Sequence, residues 1–481
     1  MQLKNKVVME GTATPRDSWM SSIRQKLHQS YDESLHRYPP TIYRVPHSMR
    51  DIDVDAYEPR IISIGPYHRG KPKLEAMENH KWRYLNDFLS SNPKLSLEKC
   101  LDEMKLLEEE TRRYYSEPSE LNSEKFAEMM LLDGCFFVEF LLKLRDSSLE
   151  FIFTSKEVKE PLFNTMWILV PLVHDMLLLE NQIPFLVPQR LFDLAKISED
   201  GRCVRQSLVE LHFFMFNCLV PLNVEIPPTP ACSVHHVLHL FHTHLLPSPQ
   251  YIENNANTHM HKFSIHLHNL FHTHFLPIAH QNLRQDISRP VSSERKAKSI
   301  PSVTELQDAG VKFQKHVKKV GSFMEIEFRN GVMKIPELYI YPNTITFFRN
   351  LVAFEQCYPN SKTHFTAYAL FMDKFINTSK DIMVLKEQGI LRHGLGTDEE
   401  LAFVFNQFGN GVNFYYSKTY LSNVYEDVKC YYESAWHKWR ASLMRDYFEN
   451  PWAFLSLLGA LVLLLLTIVQ ALYAVLSHYS K

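Results

Sequence analysis

The chain has 481 residues, of which 45% are hydrophobic and 22% are charged, a composition typical of a globular protein. The formal net charge is −2, and without a basic excess we expect no nucleic acid partner. The seven cysteines are scattered with no CxxC pair, which is typical of reduced thiols in the cytosol and argues against a disulfide framework. A chain of this length is expected to form two or more packed subdomains.

The chain begins with a polar tail and a proline-rich stretch. Residues 1–38 are weakly patterned, and we interpret them as an N-terminal tail. The helical N-terminal half of the body, residues 39–220, opens with prolines that recur up to Pro72. Because proline removes backbone donors and forbids long helices, short extended segments and turns are predicted here. This stretch contains two motifs, IYRVP at Ile42–Pro46 and IISIGPYH at Ile61–His68.

Apolar residues at helical spacing dominate the rest of this half. The spacing predicts amphipathic helices over Glu75–Ser90 and Ser96–Tyr115. The stretch Ser123–Leu144 is apolar nearly all round, which predicts a central, buried helix. A second buried helix is predicted over Phe163–Leu194, ended or kinked by Pro184.

Residues 221–301 differ in character from the rest of the chain. They contain prolines, few charges and 12 of the 24 histidines. A short sequence occurs twice here, as HLFHTHLLP at His239–Pro247 and as NLFHTHFLP at Asn269–Pro277. Two copies are too few for a solenoid, so we interpret the region as a duplicated segment in a mobile, His-rich linker.

The C-terminal half of the body, residues 302–450, combines a small β element with helices. Asn330 and Gly331 separate two short runs of β-type residues, which is the strongest short-range signal for an antiparallel hairpin. Helices follow, and a long amphipathic helix is predicted from Ser417 to Asn450.

The end of the chain is strongly apolar. No charged residue occurs between Pro451 and Leu476, and a helix of this length spans about 39 Å, more than the roughly 30 Å of a hydrocarbon core. We therefore predict a transmembrane helix over 451–476 and a short tail over 477–481. No apolar leader occurs near Met1, so we expect a single-pass, tail-anchored membrane protein with its body in the cytosol. The predicted fold is mostly α with a small antiparallel β-hairpin (α+β), a helical body with one C-terminal transmembrane helix.

Acidic residues interrupt several apolar runs. These residues are Asp133, Asp175, Glu180 and Glu355. A carboxylate in such a place must be paired, hydrogen-bonded or protonated. Two of them could act as general acid and base in a hydrolase, or all could tie core helices to backbone donors or to arginines such as Arg44, Arg60 and Arg190. The sequence contains no GxSxG, P-loop, GxGxxG or HExxH motif, so we assign no catalytic residue and expect no cofactor.

The duplicated sequence contains two His-x-His pairs. His242 with His244, and His272 with His274, could bind Zn²⁺ or Cu²⁺ from extended segments. The alternative is a low-complexity loop with incidental metal affinity, because no cysteine or carboxylate is fixed nearby. We assign no metal site.

Several long motifs in a fixed order resemble the plant domain of unknown function 247. They include MLLDGCFFVEFL at Met130–Leu141, DMLLLENQIPFLV at Asp175–Val187, AFEQC at Ala353–Cys357 and the apolar C-terminal stretch. The resemblance covers nearly everything from Pro39 to Leu476. It implies a plant membrane protein with a helix-rich body and one C-terminal span, in a family without agreed catalytic residues. Some members of that family are associated with self-incompatibility between pollen and stigma, and the His-rich duplication departs from the family pattern.

Three functional hypotheses follow from the sequence and the resemblance. The first is a membrane-anchored, non-enzymatic recognition or signalling protein that acts by protein–protein interaction. The second is a hydrolase that uses the buried carboxylates. The third is a passive scaffold that forms homo-oligomers through the C-terminal helix. The expected partners are the lipid bilayer and a protein.

Overall fold

The computed structural model describes residues 19–24, 26–27, 39–147, 162–163, 165–196, 206–219, 234–253, 300–316, 322–412, 414, 419–443 and 451–479. Most of the predicted N-terminal tail and the second copy of the duplicated sequence lie outside these ranges.

The N-terminal half is built around one buried helix. Its helices are α1 (His47–Arg50), α2 (Glu75–Ser90), α3 (Leu97–Arg112), α4 (Ser123–Asp146), α5 (Met166–Asp175), α6 (Leu186–Lys196), α7 (Leu208–Leu219) and α8 (Val237–Leu245). Helix α4 packs against α2, α3, α6 and α7. It is buried almost without interruption from Phe126 to Leu144, which explains why its sequence has hardly any polar stripe. The predicted helices over 75–90, 96–115 and 123–144 are confirmed.

Residues 39–68, which we call the N-terminal segment, contain little regular structure. Apart from the single turn of α1 and a short 3₁₀ helix at Val54–Ala56, the backbone is extended or turning. Ile42 forms an isolated parallel bridge with Tyr115, and Ile42, Ile62 and Ile64 are fully buried. The prediction from the prolines is confirmed, and the segment has to satisfy its buried amides without a helix or a sheet.

The prediction of one helix over Phe163–Leu194 is wrong. Helix α5 ends at Asp175, and α6 begins at Leu186. The irregular connection between them is completely buried up to Phe185 and contains Glu180. Its backbone is held by side-chain amides and by other segments, so tertiary contacts override the local apolar pattern.

The C-terminal half joins two small sheets to a helical layer. Its elements are α9 (Val303–Asp308), β1 (Lys312–His316), β2 (Glu327–Arg329), β3 (Val332–Pro336), β4 (Leu338–Ile340), α10 (Pro342–Cys357), α11 (His364–Phe375), α12 (Ser379–Glu387), β5 (Leu391–His393), α13 (Asp398–Phe405), α14 (Ser422–Tyr432), α15 (Ala435–Leu443) and α16 (Pro451–Tyr479). Strands β2 and β3 form the predicted antiparallel hairpin, with positive φ at both Asn330 and Gly331. The parallel pairs β1–β3 and β4–β5 were not predicted.

The predicted long helix over Ser417–Asn450 is broken in the described residues. Helices α14 and α15 are separate, and the break brings His437 onto Tyr431 with ring centroids 3.7 Å apart. His437 Nδ1 also lies 2.8 Å from the carbonyl oxygen of Ala309. Packing against the body therefore outweighs the continuous helical pattern.

The prediction of a membrane span is wrong. Helix α16 exists, but among the described residues no helix combines the length and apolar character that a bilayer crossing requires. The predicted transmembrane helix Pro451–Leu476 and the single-pass, tail-anchored membrane localisation are corrected accordingly.

Candidate functional site

Asp175, the last residue of α5, holds three consecutive backbone N–H groups of the N-terminal segment. Its carboxylate accepts hydrogen bonds from Arg60 at 2.9 Å, Ile61 at 2.7 Å and Ile62 at 3.0 Å. The side chain is fully buried, and His174 Nδ1 lies 3.0 Å from one carboxylate oxygen. Because residues 60–62 form no helix or strand, this carboxylate supplies the acceptors that secondary structure supplies elsewhere.

Asn181 and Gln182 bind further backbone groups with their side-chain amides. Asn181 Oδ1 accepts a hydrogen bond from Ile64 N at 2.7 Å, and its Nδ2 donates to the Ile62 carbonyl at 3.0 Å. Gln182 Oε1 accepts from the N–H of Leu238 in α8 at 3.1 Å. The sequence Glu-Asn-Gln therefore works as a set of backbone clamps in the connection between α5 and α6.

Glu180 is buried against two arginines and a histidine of the N-terminal segment. Its carboxylate accepts hydrogen bonds from Val45 N at 2.6 Å and from the Arg50 guanidinium. Arg44 Nη1 lies 3.3 Å and His68 Nε2 3.5 Å from the second oxygen. Burial raises the pKa of Glu180, but bonds from His68, Val45 and Arg50 outweigh it and lower the pKa to about 2. The group is ionised at neutral pH and is unsuited to act as a general acid there.

Asp133, on the central helix α4, lies between a backbone amide and a buried lysine. Its carboxylate accepts from Gly65 N at 2.8 Å and lies 2.7 Å from Lys81 Nζ. Burial raises the pKa of Asp133, opposed by the positive charge of Lys81. Lys81 is itself fully buried and donates to the Ser63 carbonyl at 2.6 Å. The pair joins α2, α4 and the N-terminal segment at one point.

Glu355, on α10, binds the start of the neighbouring helix α11. Its carboxylate accepts from Phe365 N at 2.9 Å and Thr366 N at 2.7 Å. These amides belong to the first turn of α11, where backbone N–H groups lack intrahelical acceptors and an anion is stabilising. His242 Nε2 lies 3.0 Å from the same carboxylate. Glu355 therefore works as a cap between two helices.

The predicted arginine partners are met only in part. Arg44 contacts Glu180, as the sequence suggested. Arg60 reaches Asp175 through its backbone N–H, and Arg190 pairs with a different acid at the surface. Asp175 and Glu355 thus rely on backbone amides, whereas Glu180 and Asp133 each combine a backbone amide with a positively charged side chain.

Three cavities lined by described residues are small. Their volumes are about 10 to 20 Å³, room for roughly one water molecule and far below the roughly 300–1,000 Å³ of small-molecule sites. None of the three is lined by Asp133, Asp175, Glu180 or Glu355. The geometry around these acids is that of structural anchors.

The histidines predicted as candidate metal ligands have different hydrogen-bond partners. His242 and His244 lie in helix α8, not in an extended segment. His242 faces Glu355, whereas His244 Nδ1 lies 2.8 Å from the carbonyl oxygen of Leu240. His272 and His274 lie outside the described residues. Within the described ranges, no group of three or more His, Cys, Asp or Glu side chains is placed to hold a metal ion.

Lys81 and Asn350 are two of the anchors that the sequence analysis missed. Lys81 lies on the apolar stripe of α2 between Met77 and Leu85, and a lysine at such a position signals a buried acidic partner. Asn350 Oδ1 accepts from Leu179 N at 2.9 Å, and no local pattern distinguishes this asparagine from a surface one.

The comparisons with known proteins agree on one family. The profile of DUF247, described as a plant protein of unknown function, matches residues 42–466. The UPF0481 protein At3g47200 of Arabidopsis thaliana is 29% identical over 449 residues, which are 93% of this chain and 88% of that protein. The putative UPF0481 protein At3g02645 of the same plant is 23% identical over 96% of both chains. No solved structure matches the chain. The chain belongs to the DUF247 family of plant proteins of unknown function.

Proposed function

We propose that the protein acts by binding proteins, and that helix α16 is the surface through which copies of the chain associate. The observation that carries this proposal is the exposure of α16. Its described leucine, isoleucine and valine side chains between Leu455 and Leu472 are each 46–66% exposed. Together they exceed the roughly 300–600 Å² of the largest apolar patch on a typical monomer, and such patches mark interaction sites.

A second copy of the chain is the occupant that fits α16. The helix is uncharged over its apolar length, so an equally apolar helix complements it, and a two-fold contact supplies one from the same sequence. At Gly459 no neighbouring atom lies within 4 Å of where a Cβ would stand, which leaves room for a second helix to approach closely.

The arrangement of the buried acids supports binding over catalysis. Asp175 and Glu355 each hold adjacent backbone amides, and Glu180 is ionised between arginines. An acid–base pair for hydrolysis needs one group free to donate a proton and space for substrate beside it. The described surroundings of these acids provide anchoring contacts instead, which is consistent with a rigid recognition scaffold.

Sedimentation of the full-length chain at micromolar concentration tests the proposal. Leu461 and Leu465 lie one helical turn apart on α16, so the double variant Leu461→Glu/Leu465→Glu places two charges on one face. We expect the parent chain to form dimers or larger assemblies and the double variant to be monomeric. The matched control is Leu106→Glu on α3, where the side chain is 78% exposed, and it should assemble like the parent.

Two results would overturn the proposal. The first is a monomeric parent chain with a native circular dichroism spectrum. The second is a double variant that assembles as the parent does, which would place self-association elsewhere. Association with a different protein but not with itself would also contradict the assignment of the occupant.

A further inference from the structure

Helix α8 belongs to the part of the chain whose sequence occurs twice. Residues 235–247, which contain α8, align with residues 265–277, and we call these ranges the first copy and the second copy. Both copies contain the pattern HxxxLFHTHxLP. The first copy is packed into the body, and the second copy lies outside the described residues. The contacts of α8 show which shared residues matter for docking on the body.

The polar contacts of the first copy are made by residues that both copies share. His236 Nε2 lies 3.0 Å from the carbonyl oxygen of Thr41, and His242 Nε2 lies 3.0 Å from a carboxylate oxygen of Glu355. Both histidines are buried. The second copy has histidines at the two corresponding positions, 266 and 272, so it contains both groups that bind these acceptors.

The main ring contact of the first copy is also shared. Phe241 is fully buried and stacks on Phe216 of α7, with ring centroids 4.2 Å apart and an interplanar angle of 24°. Phe271 is the corresponding residue of the second copy. We call the surface formed by Thr41, Phe216 and Glu355 the α8 groove. The residues that bind this groove most specifically are therefore present twice in the chain.

The two copies differ at buried positions of α8. Leu238 is fully buried, and the second copy has His268 in its place. Leu245 is also buried, and the second copy has the larger Phe275. Burying an imidazole in place of a leucine has a desolvation cost, and a larger ring in a packed site causes strain. The second copy is thus a weaker ligand of the same groove, which agrees with the first copy occupying it.

The chain is long enough for the second copy to reach the α8 groove. The next buried anchor along the chain is Ile300, and residues 278–299 lie between it and the second copy. These 22 residues extend to about 70 Å, whereas a compact body of roughly 400 residues has a diameter of about 55 Å. Among the described elements, only α8 and the residues that follow it up to Glu253 would have to leave their places.

We propose that the second copy is an alternative occupant of the α8 groove, so that either copy can fill the groove of its own chain. The first copy fills it in the major arrangement. In the minor arrangement the second copy takes its place and the first copy is released, so the two arrangements present different segments to a partner protein. This exchange within one chain is separate from the self-association proposed for α16.

Thermal unfolding of full-length variants tests the exchange. Leu240→Asp/Phe241→Asp places two charges at buried positions of the first copy and should lower the Tm. The matched change in the second copy, Leu270→Asp/Phe271→Asp, should leave the Tm of the parent chain within about 1 °C. Combining both pairs should lower the Tm by about 4 °C or more below that of the first-copy variant, because no occupant is left for the groove. Equal Tm values for the combined variant and the first-copy variant would overturn the proposal.

Cross-linking detects the exchange directly and needs only a mild change in α8. The Ser361 hydroxyl lies 3.5 Å from His242 Nε2, so residue 272 should lie beside residue 361 when the second copy fills the groove. We expect a short bismaleimide to join the cysteines of His272→Cys/Ser361→Cys, with a yield that rises when Phe241→Ala weakens the first copy. The control pair Thr258→Cys/Ser361→Cys, with one cysteine outside both copies, should give background yield.

Two cross-linking results would overturn the proposal. The first is a 272–361 yield equal to that of the control pair in the Phe241→Ala background. The second is a yield that rises with protein concentration, which would assign the occupant to another chain.

Discussion

Replacing Asp175 isolates the contribution of a buried carboxylate that holds irregular backbone. Its two oxygens serve the N–H groups of Arg60, Ile61 and Ile62 at 2.7 to 3.0 Å, with the side chain fully buried. Each buried donor left without an acceptor costs about 1–3 kcal/mol. Asp175→Ala removes every acceptor and should cost about 3–6 kcal/mol. Asp175→Asn keeps one oxygen but turns an NH₂ toward the donors, and should cost about 2–3 kcal/mol.

Two unfolding experiments, one by heat and one by urea, both monitored by circular dichroism, measure this loss of stability. A cost of 2–3 kcal/mol should lower the Tm by about 5 °C and the urea midpoint with it. The matched control is Asp102→Asn, an exposed aspartate on α3, which should unfold like the parent. If Asp175→Asn unfolds within about 1 °C of the parent, the anchoring argument is refuted. An unchanged Tm is what a catalytic aspartate would give, because replacing a strained active-site acid tends to leave stability unchanged or to raise it.

Other perturbations follow from the same contacts. Gly65→Ala should destabilise the fold by about 2 kcal/mol more than Gly70→Ala. Both glycines have positive φ, but only at Gly65 would a Cβ meet a backbone carbonyl. Equal unfolding midpoints for the two variants would contradict this. Glu180 has a pKa of about 2 in the fold, below its ordinary 4.5, so it contributes roughly 3 kcal/mol that is present above pH 4.5 and lost as pH falls toward 2. Glu180→Gln should remove that dependence from acid-unfolding curves. His212 and His239 have pKa values lowered to about 4 and about 3, so the unfolded chain binds protons first, and each should cost roughly 2 kcal/mol of stability at about pH 5 relative to pH 7. His212→Leu should flatten the fall in Tm over this range, and a slope identical to the parent's would count against buried, neutral His212.

The apolar pattern predicts several of the helices that the structure contains, because burial on one face leaves a 3.6-residue period. Helix α2 has its predicted bounds, and α4 is central, as its lack of a polar stripe indicated. The Asn330-Gly331 pair predicts the hairpin because only such residues tolerate positive φ in succession. These features are local, so a single sequence carries enough information for them.

The features that were missed depend on distant partners. The connection holding Glu180 reads as helix from its apolar neighbours, yet it is irregular because its side chains bind residues of the N-terminal segment more than a hundred positions away. The parallel pairing of β4 with β5 joins residues about fifty positions apart and leaves no period in either strand. At α16, length and lack of charge predicted a span that the described residues do not support.

The candidate site also combines features that the local sequence reveals with features that depend on distant contacts. The sequence singled out four of the buried acids, since a carboxylate in an apolar run is visible by composition alone. The sequence could not show that Asp175 and Glu355 bind backbone amides, because a backbone N–H donor is not marked by any particular residue type.

Hydrogen exchange at the N-terminal segment tests most directly whether the buried acids and amides are the frame of this fold. The amides of Ile61, Ile62, Ile64 and Gly65 lie in irregular backbone but donate to buried side-chain oxygens. We expect them to exchange as slowly as the amides of the central helix α4 in the parent chain, and to lose protection around residues 60–62 in Asp175→Asn. Fast exchange of these four amides in the parent, at rates typical of surface loops, would contradict the structural role assigned to Asp133, Asp175 and Asn181.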